Sequence, residues 1–155
     1  MSGDYPSKDE LKGAVQGTLL YLALYLCILI PYQSFTKIYL YFQKRKEAKQ
    51  KEGDEKKVSW RAVKYYNSRD MLALTGDRTV GNFVEFAILF LPLYWMHAIF
   101  VDPTQSFRIG CIYTATRAIY PIVYQMRGFL ALSTGPGYLL YLYLMVEIAR
   151  RFVFA

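Results

Sequence analysis

Two short polar patterns interrupt long apolar stretches of this chain. The first lies in "DRTVGNFVEFAILFLPLYW", which begins at Asp77. There Arg78, Asn82 and Glu85 recur at i, i+4 and i+7, a spacing that shares one face of a helix. The second lies in "TRAIYPIVY", where Arg117, Tyr120 and Tyr124 recur at i, i+3 and i+7. Together they supply two cations, one carboxylate, one amide and two phenols. Such a set suits a small ligand with several charged ends. An ionised group at membrane depth costs at least about 2.5 kcal/mol on insertion scales, so these residues need a reason to be there. Two readings fit. Glu85 and Arg117 pair and pin two helices together, or the whole stripe lines a polar pocket that opens toward the cytosol.

The elements that must position these residues follow from the apolar pattern. The chain has 155 residues, 54% hydrophobic and 17% aromatic, more than an ordinary soluble domain of this length carries. A single all-α domain is expected, an integral membrane bundle of four helices, since about 20 mostly apolar residues span a bilayer. The spans are expected at about residues 13–42, 79–100, 107–126 and 138–152. Pro31 is placed to kink the first, because it removes a ladder hydrogen bond. That first run is too long for a signal-peptide core and has no small-residue cleavage site after it, so a retained helix is expected. "VDPTQS" reads as a tight turn between the second and third spans. "STGPG" reads as a break before the fourth, with Gly135 and Gly137 making a turn around Pro136.

Charge orients the bundle. The formal net charge is +7, and ten of the nineteen Lys and Arg lie between Lys44 and Arg69. Cytoplasmic loops carry such an excess, which puts the charged loop of about residues 43–72 on the cytosolic side and both termini on the other. Within that loop Val58, Ala62, Tyr65 or Tyr66 and Leu72 keep helical spacing, so an interfacial helix with Trp60 at headgroup level competes with a solvated loop. Nucleic acid is not an expected partner, because no aromatic or base-reading groups are organised around the basic run. Cys27 and Cys111 both lie in apolar blocks and read as buried thiols rather than a disulfide. His97 is the single histidine, so no metal site is expected.

The two motifs, R-x-x-x-N-x-x-E on one span and R-x-x-Y-x-x-x-Y on the next, resemble the MAPEG family of microsomal glutathione transferases and membrane eicosanoid synthases. The resemblance covers residues 78–124 in motif and the whole chain in span number and orientation. It implies a bundle that assembles as a homotrimer, with glutathione as co-substrate between subunits near the cytosolic side. Arg78, Asn82 and Glu85 would then hold the charged ends and amides of the peptide. Arg117, Tyr120 and Tyr124 would complete the site, and a nearby guanidinium or phenol would favour the thiolate, which is the nucleophile. A lipophilic electrophile would arrive from the bilayer. Some members carry a tyrosine just after the glutamate; here it is Phe86. The leukotriene-forming synthases carry a further arginine where this chain has Ala131, and Arg127 lies close by as a candidate replacement. The long charged first loop is a third departure. A MAPEG-like chain that has become a structural subunit of a larger membrane assembly, such as a respiratory complex, is the alternative. Endoplasmic reticulum and mitochondrion both fit as the membrane.

Overall fold

A computed structural model of the protein describes residues 5–52, 58–64, 70–126 and 131–153. Among the described residues all regular structure is helical. Helix α1 (Lys12–Leu24) passes through a π-helical turn (Tyr25–Leu29) into α2 (Ile30–Glu52), and α3 (Arg61–Lys64) is a single turn. The remaining helices are α4 (Met71–Phe100), α5 (Ser106–Ala118), α6 (Tyr120–Gln125) and α7 (Ala131–Phe152). They form four rods: α1 with α2, α4, α5 with α6, and α7. Two stretches, Lys12–Gln50 and Met71–Phe100, are long and apolar enough to cross a membrane, and 28% of the most apolar window of each is buried. Most of their apolar surface therefore faces outward, as on a helix that is apolar all round.

Proline shapes the rods. Pro31 has no N–H for the carbonyl of Cys27, and just before it the Ile30 N–H reaches back to the carbonyl of Tyr25. The expected kink takes the form of this wider turn. In the third rod Pro121 withdraws the donor that the Arg117 carbonyl would use, and the helix divides at Ile119 into α5 and α6. The fourth rod differs from expectation. It is described from Ala131, and Gly135, Pro136 and Gly137 lie inside it. Pro136 lies inside the helix and leaves the Leu132 carbonyl without its helical donor. Gly137 is there for proximity, because a Cβ at that position would strike the Arg117 guanidinium.

The second rod starts at Met71 rather than near residue 79. Asp70 caps it, its Oδ1 accepting from the N–H groups of Leu72 at 2.9 Å and Ala73 at 3.0 Å. Of the expected interfacial helix, one turn is described: Trp60 stacks on Tyr41 at 3.9 Å, and Val63 packs with Leu40 and Ala73. Residues 65–69 lie outside the described residues.

Aromatic contacts set the register between the rods. Phe90 stacks on Tyr113 at 3.7 Å and Tyr21 on Phe83 at 4.1 Å, which ties α1, α4 and α5. The tyrosine hydroxyls find acceptors, as buried phenols must. Tyr21 donates to the Phe83 carbonyl and Tyr141 to that of Phe86, both at 3.2 Å, while Tyr113 and Tyr141 bond to each other. Tyr94 donates to the Ser106 carbonyl at 2.9 Å and reaches that of Ala14 at 3.2 Å, joining the starts of α1 and α5. The start of α1, the α4–α5 turn and the end of α7 share one end of the bundle: Gly13 backs onto Phe107, and the rings of Phe100 and Phe152 lie 5.6 Å apart. The expected Asp-Pro turn is held by Asp102, whose Oδ1 accepts from the Thr104 hydroxyl at 2.6 Å and N–H at 2.8 Å. The Thr104 hydroxyl holds the Asp102 carboxyl below its ordinary pKa. Its contribution is complete above the ordinary carboxylate pKa and is lost as pH falls through the lowered value.

Helices α1 and α5 come close together at Gly17 and Gly110, where a Cβ added at Gly110 would lie 2.8 Å from the Gly17 Cα. Backbone cannot yield there. Gly110→Ala should cost about 1–3 kcal/mol through overpacking, read as a lower denaturation midpoint in detergent. Gly135→Ala, whose new methyl meets nothing within 4 Å, should hold the midpoint or raise it, by up to about 1 kcal/mol of helix propensity.

Candidate functional site

Arg117 is the largest fully buried side chain, 2% exposed. Side chains and backbone of α4, α5 and α7 surround it. Its guanidinium carbon lies 4.8 Å from the Phe86 ring centroid on α4 and 4.9 Å from that of Tyr113 on α5. Its Nη1 donates to the Asn82 side-chain oxygen at 2.9 Å. Gly137 of α7 lies against Nη2. The Nε and Nη2 atoms are buried with no hydrogen-bond acceptor. The energies show why that matters. Taking an ion out of water costs several kcal/mol. Each ring face returns about 0.5–2 kcal/mol and the bond to Asn82 about 1.5–3 kcal/mol. Each orphaned donor costs a further 1–3 kcal/mol or so, so an acceptor at the Nε–Nη2 edge is strongly favoured.

The six residues of the two motifs are brought to one region, with different exposures. Tyr120, at the start of α6, is buried, and its ring lies 5.7 Å from that of the half-buried Tyr124. The charges of Arg78, Arg117 and Glu85 all act on the Tyr120 hydroxyl. Asn82 is half-buried, while Arg78 and Glu85 are exposed on the outer side of α4. Arg127 lies outside the described residues, and Ala131 is the first described residue of α7.

The expected Glu85–Arg117 pair is not formed. Among the described residues Glu85 takes part in no hydrogen bond or ion pair, and Arg117 bonds to Asn82 instead. Helix geometry gives the reason. At about 100° per residue, Asn82 and Phe86 turn toward α5, while Glu85 stays beside Arg78 on the outward face. The two aromatic rings then hold the guanidinium on the Asn82 side.

A pin of that kind is made about two turns away, between a different pair of helices, by residues that the motifs do not include. Asp77, 2% exposed, accepts from Lys37 Nζ at 2.6 Å and from Gln33 Nε2 at 2.7 Å, linking α2 to α4. Gly76 makes room for the crossing, since a Cβ there would lie 3.2 Å from the Gln33 Cα. Lys37 is visible in the sequence as the lone charge of its apolar run. Nothing local joins it to an aspartate on another helix. Ser133 was hidden more fully, inside a segment that reads as a turn; it is 0% exposed on the buried face of α7, and its hydroxyl has no hydrogen-bond partner. Cys27 is exposed rather than buried, and Cys111 is half-buried; both are free thiols. Among the described residues no group of His, Cys, Asp and Glu is arranged to hold a metal.

No family model, no curated protein and no solved structure matches this chain.

Lys37→Met would leave the Asp77 carboxylate buried without its cation. That should cost about 3–5 kcal/mol, whereas the double variant Lys37→Met/Asp77→Leu, with no charge left to bury, should recover most of the loss. Denaturant titration of the two variants in detergent checks both expectations.

Proposed function

We propose that this protein is a MAPEG-like integral membrane enzyme that activates glutathione and transfers it to lipophilic electrophiles. The observation that carries the reading is Arg117: a buried guanidinium with two orphaned donors, grouped with two phenols, an amide and the Arg78–Glu85 face. Supporting the membrane setting, the outward faces of the rods are apolar, with Leu19, Leu26 and Ile28 on the first, Ile88 on the second and Leu139 and Leu142 on the fourth all exposed. Soluble monomers rarely leave so much contiguous apolar surface uncovered. The proposal has four spans, the charged segment on the cytosolic side, and both termini on the other side of an endoplasmic reticulum or mitochondrial membrane. The outward position of Arg78 and Glu85 suits a site shared between copies in a homotrimer.

In this reading the Glu85 carboxylate takes the ammonium of glutathione, and Arg78 and Arg117 take its carboxylates. Asn82 holds Arg117 in place and offers its amide N–H to the peptide. The thiol falls beside Tyr120 and Tyr124. A phenol O–H donating to sulfur stabilises the thiolate, which attacks an electrophilic carbon of a substrate dissolved in the bilayer. The S–C bond forms as the electron pair passes to the leaving group or to an epoxide oxygen, which takes a proton. With a lipid hydroperoxide, a first glutathione reduces the O–O bond to an alcohol, and a second releases the oxidised sulfur as glutathione disulfide.

Calorimetric titration of the detergent-purified protein with glutathione should give saturable binding. Glu85→Gln and Arg78→Ala should each weaken it by about tenfold or more, the cost of one charge-assisted bond. A folded protein that binds no glutathione contradicts the enzyme reading. The polar stripe would then be helix-packing glue in a MAPEG-like subunit of a larger membrane assembly.

A further inference from the structure

The orphaned atoms of Arg117 are not a random pair. Nε and Nη2 form one edge of the guanidinium, and their two N–H bonds point the same way. That edge is the fork that grips a carboxylate through two parallel hydrogen bonds. The remaining nitrogen, Nη1, is already used by Asn82. The edge lies against α7, where Gly137 keeps the backbone close. One helical turn before Gly137, on the same buried face, stands Ser133, whose hydroxyl is also buried and has no partner. Two independent buried groups on facing helices thus lack an acceptor, and both are donors.

We infer that Arg117 and Ser133 form a carboxylate-binding site between α5 and α7, with Ser133 a positioning residue that the two sequence motifs do not include. A carboxylate fits better than a phosphate. One buried cation neutralises one negative charge, whereas a phosphate dianion would leave net charge in the bundle, which is costly there. The ligand enters beside α7 where Pro136 deprives the Leu132 carbonyl of its helical donor, and the Gly137 backbone that now faces the guanidinium gives way to it. The site deepens the proposed function and rests on it only for the identity of the ligand. If the ligand is glutathione, Arg117 reads one of its carboxylates, and thiolate stabilisation is left to Tyr120 and Tyr124.

Four probes test this on the full chain in detergent by calorimetry. They are glutathione, the same tripeptide with alanine in place of cysteine, the two monoesters of glutathione taken as a pair, and glutarate. At about pH 5, where the thiol stays protonated and the carboxylates stay ionised, the site predicts that the alanine analogue binds within about threefold of glutathione and that one of the esters binds at least tenfold more weakly, the loss of a charge-assisted fork. In Arg117→Lys, which keeps the charge and removes the fork, the gap between acid and ester shrinks severalfold. Ser133→Ala narrows it too, and Ser133→Thr restores it. Equal binding of acid and both esters, or an ester gap unchanged in Arg117→Lys, overturns the site. At that pH a fall in affinity seen only with the alanine analogue also overturns it, because Arg117 would then be reading the thiol. If no tripeptide binds but glutarate still does, in an Arg117- and Ser133-dependent way, the carboxylate site stands and the glutathione reading falls. Should glutarate fail as well, both fall.

Discussion

The bundle is organised around one buried cation. A guanidinium 2% exposed in an apolar interior is tolerated only if its surroundings replace water, and each neighbouring helix supplies part of that replacement. Helix α4 gives an amide oxygen and a ring face, α5 gives a second ring face, and α7 gives a glycine that lets its backbone come close. The replacement is incomplete at one edge. That incompleteness links packing to the proposed function, because the fold that positions Arg117 also leaves two of its donors without an acceptor.

The rest of the interior can be read as what keeps this arrangement in register. Stacked rings between α1, α4 and α5 fix how far each helix slides past the next, and tyrosine hydroxyls tie those rings to backbone carbonyls of neighbouring helices. Gly17 and Gly110 bring α1 against α5, and the Lys37–Asp77 pair holds α2 against α4. Pro121 ends α5 just beyond Arg117, so the two phenols of α6 start a new helical segment beside the guanidinium. Side chains that would otherwise be packing residues thereby determine where the phenols of Tyr120 and Tyr124 stand.

Helical class, the rod carrying each motif and the grouping of Arg78, Asn82, Glu85, Arg117, Tyr120 and Tyr124 were legible in the sequence, because apolar run length and i, i+3, i+4, i+7 spacing encode them directly. What was not legible depends on rotation and on long-range partners. Spacing shows that Asn82 and Glu85 share a face; it does not show which edge of that face turns toward α5, and so the partner of Arg117 was misassigned. The Lys37–Asp77 pair joins residues on two helices with no local pattern between them. "STGPG" carries every turn signal, yet it is helical despite the ladder bond lost at Pro136, and Gly137 lets α7 come against a side chain of another helix. Local propensity loses to tertiary contact in that case.

The central claim is that this interior binds glutathione as its thiolate. The most direct measurement is the ultraviolet thiolate absorbance of glutathione mixed with the purified protein, followed as pH is varied. A thiolate band that appears on binding at neutral pH, well below the ordinary thiol pKa of about 8.5, and that is lost when Tyr120 and Tyr124 are both replaced by phenylalanine, is the predicted result. Glutathione that binds with its thiol still protonated at neutral pH would contradict it.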